Sequence, residues 1–192
     1  MNRNKSHRAL AVLAIAVLGV LATPAEATVK GEAEVIIEWN QILQTNLPGS
    51  AGVFSFRYYA MMHIAMFDAI NSIERDYERY HVQVPAGPTA SAEAAAAQAA
   101  HDVLVALLPT ATATFDAALK SRLAKIHWWR AAQGAAVGKK VAQAVLDWRT
   151  GDGFEQPDPP YLPPPIPGVW QGTPPGRWQR VCASPTLSLS DY

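Results

Sequence analysis

Between Glu34 and Leu47 the apolar residues Val35, Ile36, Trp39, Ile42, Leu43 and Leu47 recur at intervals of three and four. That is the stripe of an amphipathic helix, and Pro48-Gly49 stops it. The next segment, Phe54 to Ile73, is apolar on nearly every side, with Phe56, Tyr58, Tyr59, Met61, Met62, Ile64, Met66, Phe67 and Ile70. A helix without a polar face belongs in the middle of a bundle, so this segment is expected to be the core helix. One narrow polar line crosses it: Arg57, Asp68, Asn71 and Arg75 share an azimuth at about 100° per residue. Buried polar groups need partners. Asp68 and Asn71 are therefore expected to bond across a turn, with an arginine answering the carboxylate, and so to pin one helix against another. The functional alternative is the wall of a substrate channel.

His81 to Pro88 reads as a loop, and Ser91 as an N-cap with Glu93 in the first turn, where the helix dipole favours an anion. The alanine-rich run to Leu108 has high helix propensity and a small cross-section. Pro109 ends it. A fourth helix is expected from Ala111 to Ile126, with Phe115, Leu119, Leu123 and Ile126 on one face and Asp116–Lys120 as an exposed pair. The fifth is expected from Ala131 to Arg149, with Val137, Val141, Val145, Leu146 and Trp148 as its stripe. Interior glycines weaken a helix, so Gly134 and Gly138 imply a close crossing with a partner. Gly151-Asp152-Gly153 stops this helix. Beyond it, Pro157, Pro159, Pro160, Pro163, Pro164, Pro165, Pro167, Pro174 and Pro175 read as an extended strap studded with Tyr161, Trp170 and Trp178. The pattern is all-α: a bundle of about five helices over 28–153, then a strap and tail over 154–192.

The N-terminus changes the picture of where the chain works. Arg3, Lys5 and Arg8 precede the apolar run Ala9 to Ala22, and Ala25-Glu26-Ala27 offers a small-x-small cleavage site. The run is shorter than the ~20 residues of a membrane span. Residues 1–27 thus read as a signal peptide, Thr28 as the mature start, and the protein as exported, periplasmic or extracellular, with no stable membrane span after cleavage. With 16 basic and 16 acidic side chains in 192 residues, the formal net charge is zero. No long-range field draws in nucleic acid. Cys182 is the only cysteine, so no disulfide can form within one chain and packing must hold the core.

Four stretches resemble one family. Arg57-Tyr58-Tyr59-Ala60-Met61-Met62-His63-Ile64-Ala65-Met66-Phe67-Asp68-Ala69-Ile70-Asn71 resembles a family helix that reads R-x-x-A-M-x-H-x-A-M-[YF]-D-A-[VI]-N. Ala94 to Pro109 is similar to its A-A-x-A-A-H-x-V-L-x-x-L-x-P segment. Gly138 to Gly153 is similar to its G-x-x-V-A-x-A-[IV]-L-x-x-R-x-x-D-G block, and Gly168 to Gly176 to its G-V-W-x-x-T-P-P-G strap. The family is the vanadium-dependent haloperoxidase-related group, which shares its helical fold with type 2 phosphatidic acid phosphatases. The resemblance implies a helical bundle, with vanadate or phosphate bound in a C-terminal half.

An oxyanion of that kind needs converging guanidinium and ammonium donors and one histidine. The family's K-x6-R-P and P-S-G-H blocks do not occur here. Its S-R-x5-H-x3-D block has a near-miss in Ser55, Arg57, His63 and Asp68, but the serine is one residue early and the aspartate one late. On a continuous helix Asp68 points about 140° from His63 and cannot orient its imidazole. No metal-ligand spacing links His7, His81, His101 and His127, and there is no nucleophile elbow or phosphate-cradling glycine loop. His101 and Asp102 are adjacent and expected to point apart, with a cap or core hydrogen bond as their role. His127-Trp128-Trp129 reads as packing.

No catalytic, cofactor-binding or metal-binding residue is therefore assigned, and vanadate belongs to the full-length family rather than to this chain. The text after Gly176 departs from the family pattern, which points to a truncated or frame-shifted product that is inactive alone. Whether the chain is an enzyme stays open at this stage. The alternative is an exported helical module that binds a partner through its proline-rich strap. Loss of a C-terminal half leaves helix faces bare, so self-association is expected.

Overall fold

The computed structural model describes residues 25–49, 51–154 and 167–168. Among them are five α-helices and no strand, so the fold is all-α. Residues 1–24 of the expected signal peptide, all of 154–192 but Phe154, Pro167 and Gly168, and with them Cys182, lie outside the described residues. The first helix, α1, is Ala25–Asn46. It begins well before the expected Glu34 because Ala25, Glu26, Ala27, Lys30 and Glu32 are themselves good helix formers. Val35, Trp39 and Leu43, four apart, are fully buried, and Ile36, Ile42 and Leu47 pack beside them.

A 3-10 turn, Gly52–Phe54, leads into α2, Ser55–Glu74. Met61, Met62, Ala65, Met66 and Ala69 form its buried face, yet Phe56 is 72% exposed and Phe67 is also exposed. This helix is not the centre of the bundle. The centre is the alanine helix, α3, Ala92–Leu107, in which Ala92, Ala94 to Ala97, Ala99, Ala100, Val103 and Leu104 are all buried. α1, α2 and α4 (Thr112–Leu123) all pack on it. The reason is geometric. A helix of methyl side chains is thin enough for neighbours to close around it, whereas the large rings of α2 carry more area than its neighbours can cover.

The fifth helix, α5, is Trp128–Arg149. It starts earlier than Ala131, and the Ala131 amide bonds to the His127 carbonyl at 3.0 Å. Its glycines do permit a close crossing with α3. A Cβ on Gly134 would lie 2.2 Å from the Ser91 carbonyl oxygen, and one on Gly138 2.2 Å from that of Ala95. The Ser91 hydroxyl caps α3 by accepting from the Ala94 amide, while the Ser91 amide donates to the Arg130 carbonyl, which ties the start of α3 to the start of α5. Helix α4 is preceded by a 3-10 turn, Pro109–Ala111, and ends at Leu123 rather than Ile126. Three-residue turns, Lys125 amide to Arg122 carbonyl and Ile126 amide to Leu123 carbonyl, tighten the chain beyond it.

The chain divides into two compact units, 1–147 and 148–192. The helical core just described belongs to the first. In the second, the Arg149 guanidinium lies 5.1 Å from the centre of the Trp148 ring and pairs with Asp152 at 2.8 Å. Trp148, expected in the apolar stripe of α5, is 41% exposed. Gly151 and Gly153 have φ of 72° and 87°, which explains why glycine stands at this stop. No described helix is long and apolar enough to cross a membrane.

Candidate functional site

Four groups of polar residues in the first unit are candidates for chemistry. The first grows from the polar line on α2. Asp68 is fully buried and accepts three backbone N–H bonds, from Tyr80, His81 and Val82, at 2.7 to 2.8 Å. Asn71 brackets Tyr77, accepting from its amide at 2.9 Å and donating to its carbonyl at 2.7 Å. The Ser72 hydroxyl accepts from the Val84 amide. The expected Asp68–Asn71 bond and arginine answer are replaced by something more economical in parts. These side chains give the irregular segment after α2 the hydrogen bonds that a strand or helix would otherwise supply. Arg75, expected on the same line, is the C-cap of α2 in the left-handed conformation, at φ 62°. The line is structural, and what it pins is the loop following its own helix.

The R-x5-H near-miss is scattered by the same geometry. His63 Nε2–H donates to Asn40 Oδ1 at 2.9 Å, so it faces α1, and burial lowers its pKa. Asp68 is occupied by the loop. The two do not form a pair.

The second group was not foreseen. Arg122 on α4 is buried and joins three helices: Nε and Nη2 donate to Glu38 Oε2 on α1, and Nη1 donates to Glu93 Oε1 on α3 at 2.8 Å. Burial works against its charge, but the bonds it donates to Glu38 and Glu93 outweigh that, and its pKa is raised. A signal was available in the sequence. Arg122 stands seven residues after Phe115, on nearly the same azimuth, inside the apolar stripe of α4.

Third, His101 is bonded through both ring nitrogens. Nδ1 is 2.7 Å from Asp102 Oδ1, and Nε2 is 2.7 Å from Asp116 Oδ1. This corrects the expectation that His101 and Asp102 point apart. Backbone azimuth alone misleads here, because a rotated histidine and a bent-back aspartate can meet beside the helix. Gln98 donates to the same Asp102 oxygen at 2.8 Å and holds it in place. Asp116, expected to pair with Lys120, faces His101 instead. The bond to Asp102 raises the His101 pKa, burial opposes it, and the bond to Asp116 raises it further. Trp39 of α1 meets the imidazole edge-on at 6.4 Å and lies 6.4 Å from Phe115.

Fourth, a cleft of about 490 Å³ opens between α1 and the C-terminal half of α2. Ile36, Met66, Phe67 and Ile70 form an apolar wall, and Glu32, Glu74, Asp76, Tyr77, Asn71 and His63 the polar rim. Glu32 Oε1 is buried without a partner among the described residues. Desolvation, then the charges of Glu74, Asp76 and Glu93, raise its pKa. The described residues contain no group of three or more His, Cys, Asp or Glu arranged to hold a metal ion. His127 packs on Trp129 and Trp128, with ring centres at 5.7 and 6.3 Å, as its sequence context suggests.

Comparison of the chain with protein-family models, with curated proteins and with solved structures finds no match.

Proposed function

We propose that this chain is the N-terminal, non-catalytic helical part of an exported protein of the vanadium-dependent haloperoxidase-like or related acid phosphatase-like kind. One observation carries the non-catalytic part of this reading. The interior cation Arg122 and the imidazole of His101 each face two carboxylates of the same chain, Glu38 and Glu93 or Asp102 and Asp116. An oxyanion approaching either site meets net negative charge, so vanadate or phosphate does not fit these donors. The family likeness itself rests on the ordered stretches around Arg57–Asn71, Ala94–Pro109, Gly138–Gly153 and Gly168–Gly176. Export rests on the residues before Thr28.

The test is to titrate the purified chain with orthovanadate, followed by vanadium NMR, and to assay bromide oxidation by hydrogen peroxide and phosphate-ester hydrolysis. No stoichiometric capture and no turnover are expected. Either one overturns the reading. Self-association through exposed apolar side chains, Phe56, Tyr77 and Trp128 among them, belongs to the same proposal. It predicts a sedimentation coefficient that rises with concentration.

The cleft favours a second reading, an exported helical binding module. An apolar wall beside carboxylates suits a small organic cation with an apolar body. Titration with phenethylamine and with phenylacetate separates the cases. Amide shifts confined to the cleft with the amine alone support this reading, and no shift with either compound removes it.

A further inference from the structure

Helix α4 is held to the bundle by the buried ring of Phe115, with Ala118 and Leu119 beside it, and by two polar ties. Only Phe115 and Arg122 are buried along its length. Near its C-terminal end Arg122 reaches Glu38 and Glu93, and near its N-terminal end Asp116 reaches His101. Of these two fastenings, only the second contains a group that changes charge near neutral pH. The groups facing the His101 imidazole are Asp102 from α3, itself held by Gln98, Asp116 from α4, and the uncharged Trp39 ring from α1. Lys120 on α4 is the nearest cation in sequence to Asp116, and among the described ion pairs no lysine or arginine joins this group.

A neutral imidazole carries one N–H, so it can donate to one carboxylate while its other nitrogen turns a lone pair toward the second. Both bonds at 2.7 Å call for the doubly protonated ring. We propose that His101 is a pH-operated latch for α4: charged, it ties Asp116 to α3, and on losing its proton it releases Asp116 and loosens α4 while the contacts among α1, α2, α3 and α5 stay packed. Asp116 is the carboxylate that leaves, because its side chain is 62% exposed and can be hydrated, against 24% for Asp102. The side-chain bonds that raise the His101 pKa place the release above the ordinary imidazole value of about 6.5. Release uncovers Phe115 and the Trp39 ring against which it lies.

Amide hydrogen exchange on the full chain at about pH 6 and about pH 9, corrected for intrinsic exchange, tests this. Amides of 112–123 are expected to lose about tenfold in protection between the two conditions relative to those of 92–104. In His101→Gln, α4 is expected to exchange fast at both values, without the step. Asp116→Asn sits at an exposed position and keeps the test alive if the first variant folds poorly; it too should abolish the step. Uniform protection of α4 across the range, or the same step in either variant, overturns the latch.

Discussion

Arg122 on α4 and Glu38 on α1 stand 84 positions apart in the chain, and the guanidinium grips one carboxylate oxygen of Glu38 through both Nε and Nη2. The same guanidinium holds Glu93 on α3. Three helices therefore meet at one charge. Removing it with Arg122→Ala leaves two carboxylates facing one another in a half-buried site. Breaking a buried pair costs about 3 to 5 kcal/mol, and the partial exposure of Glu38 and Glu93 lowers the expectation to about 2 to 3 kcal/mol. Urea denaturation at neutral pH checks this. A change below about 0.5 kcal/mol, the range of ordinary surface substitutions, contradicts it.

Asp68→Ala orphans three backbone amides at once. Each unsatisfied buried donor costs about 1 to 3 kcal/mol; Tyr80 is exposed and its amide can be hydrated once the carboxylate is gone, so a loss of about 3 kcal/mol is expected. Local damage should exceed global damage: limited proteolysis should cut within 75–84 in the variant and not in the parent chain. Ser72→Ala removes the single Val84 contact and should cost about 1 kcal/mol.

At Gly138, alanine has the better helix propensity, by about 1 kcal/mol. Its Cβ nevertheless meets the Ala95 carbonyl at 2.2 Å, a backbone atom that moves only if the helix moves. The clash wins. Gly138→Ala and Gly134→Ala should each lower stability by about 1 to 3 kcal/mol in thermal melts, opposite in sign to propensity alone.

Glu32 gives a pH prediction. Its pKa is raised in the folded chain, so the unfolded state ionises first as pH rises. Stability is thus lost as pH climbs from the ordinary carboxylate value of about 4.3 through the folded one. Glu32→Gln should raise the melting temperature at pH 7 and lose that advantage near pH 4. Equal effects at both values contradict the assignment.

His63 acts with the opposite slope. Burial lowers its pKa, so its contribution is present above the ordinary value of about 6.5 and fades as pH falls through that value toward the folded one. His63→Gln should flatten the decline in stability between pH 7 and pH 5. An unchanged slope sinks this assignment.

The helices were legible in the sequence because periodicity and stop signals are local properties. Val35, Trp39 and Leu43 are buried as their spacing requires, Ser91 caps α3, and the two glycines of α5 mark a close crossing. What escaped was the ranking of helices by depth. Hydrophobicity pointed to α2, whereas thickness decides which helix can be surrounded, and that favours Ala94 to Ala100. The polar sites were harder still. Asp68 could be read as buried and in need of partners, but its partners are backbone amides, which every residue possesses and no side-chain pattern advertises. Arg122 could have been singled out by its place in an apolar stripe, yet Glu38 and Glu93 become its neighbours only after folding. For His101, helix azimuth argued against the contact with Asp102 that side-chain rotation then makes.

A centre made of methyl groups leaves this bundle with little means of internal adjustment. Leucine and methionine cores absorb a substitution by turning a side chain into a new rotamer, but Ala94 to Ala97, Ala99 and Ala100 have no such rotation to offer. Any added bulk there must be met by sliding or tilting a whole neighbouring helix. Drift in sequence at these positions is thereby converted into drift in helix geometry.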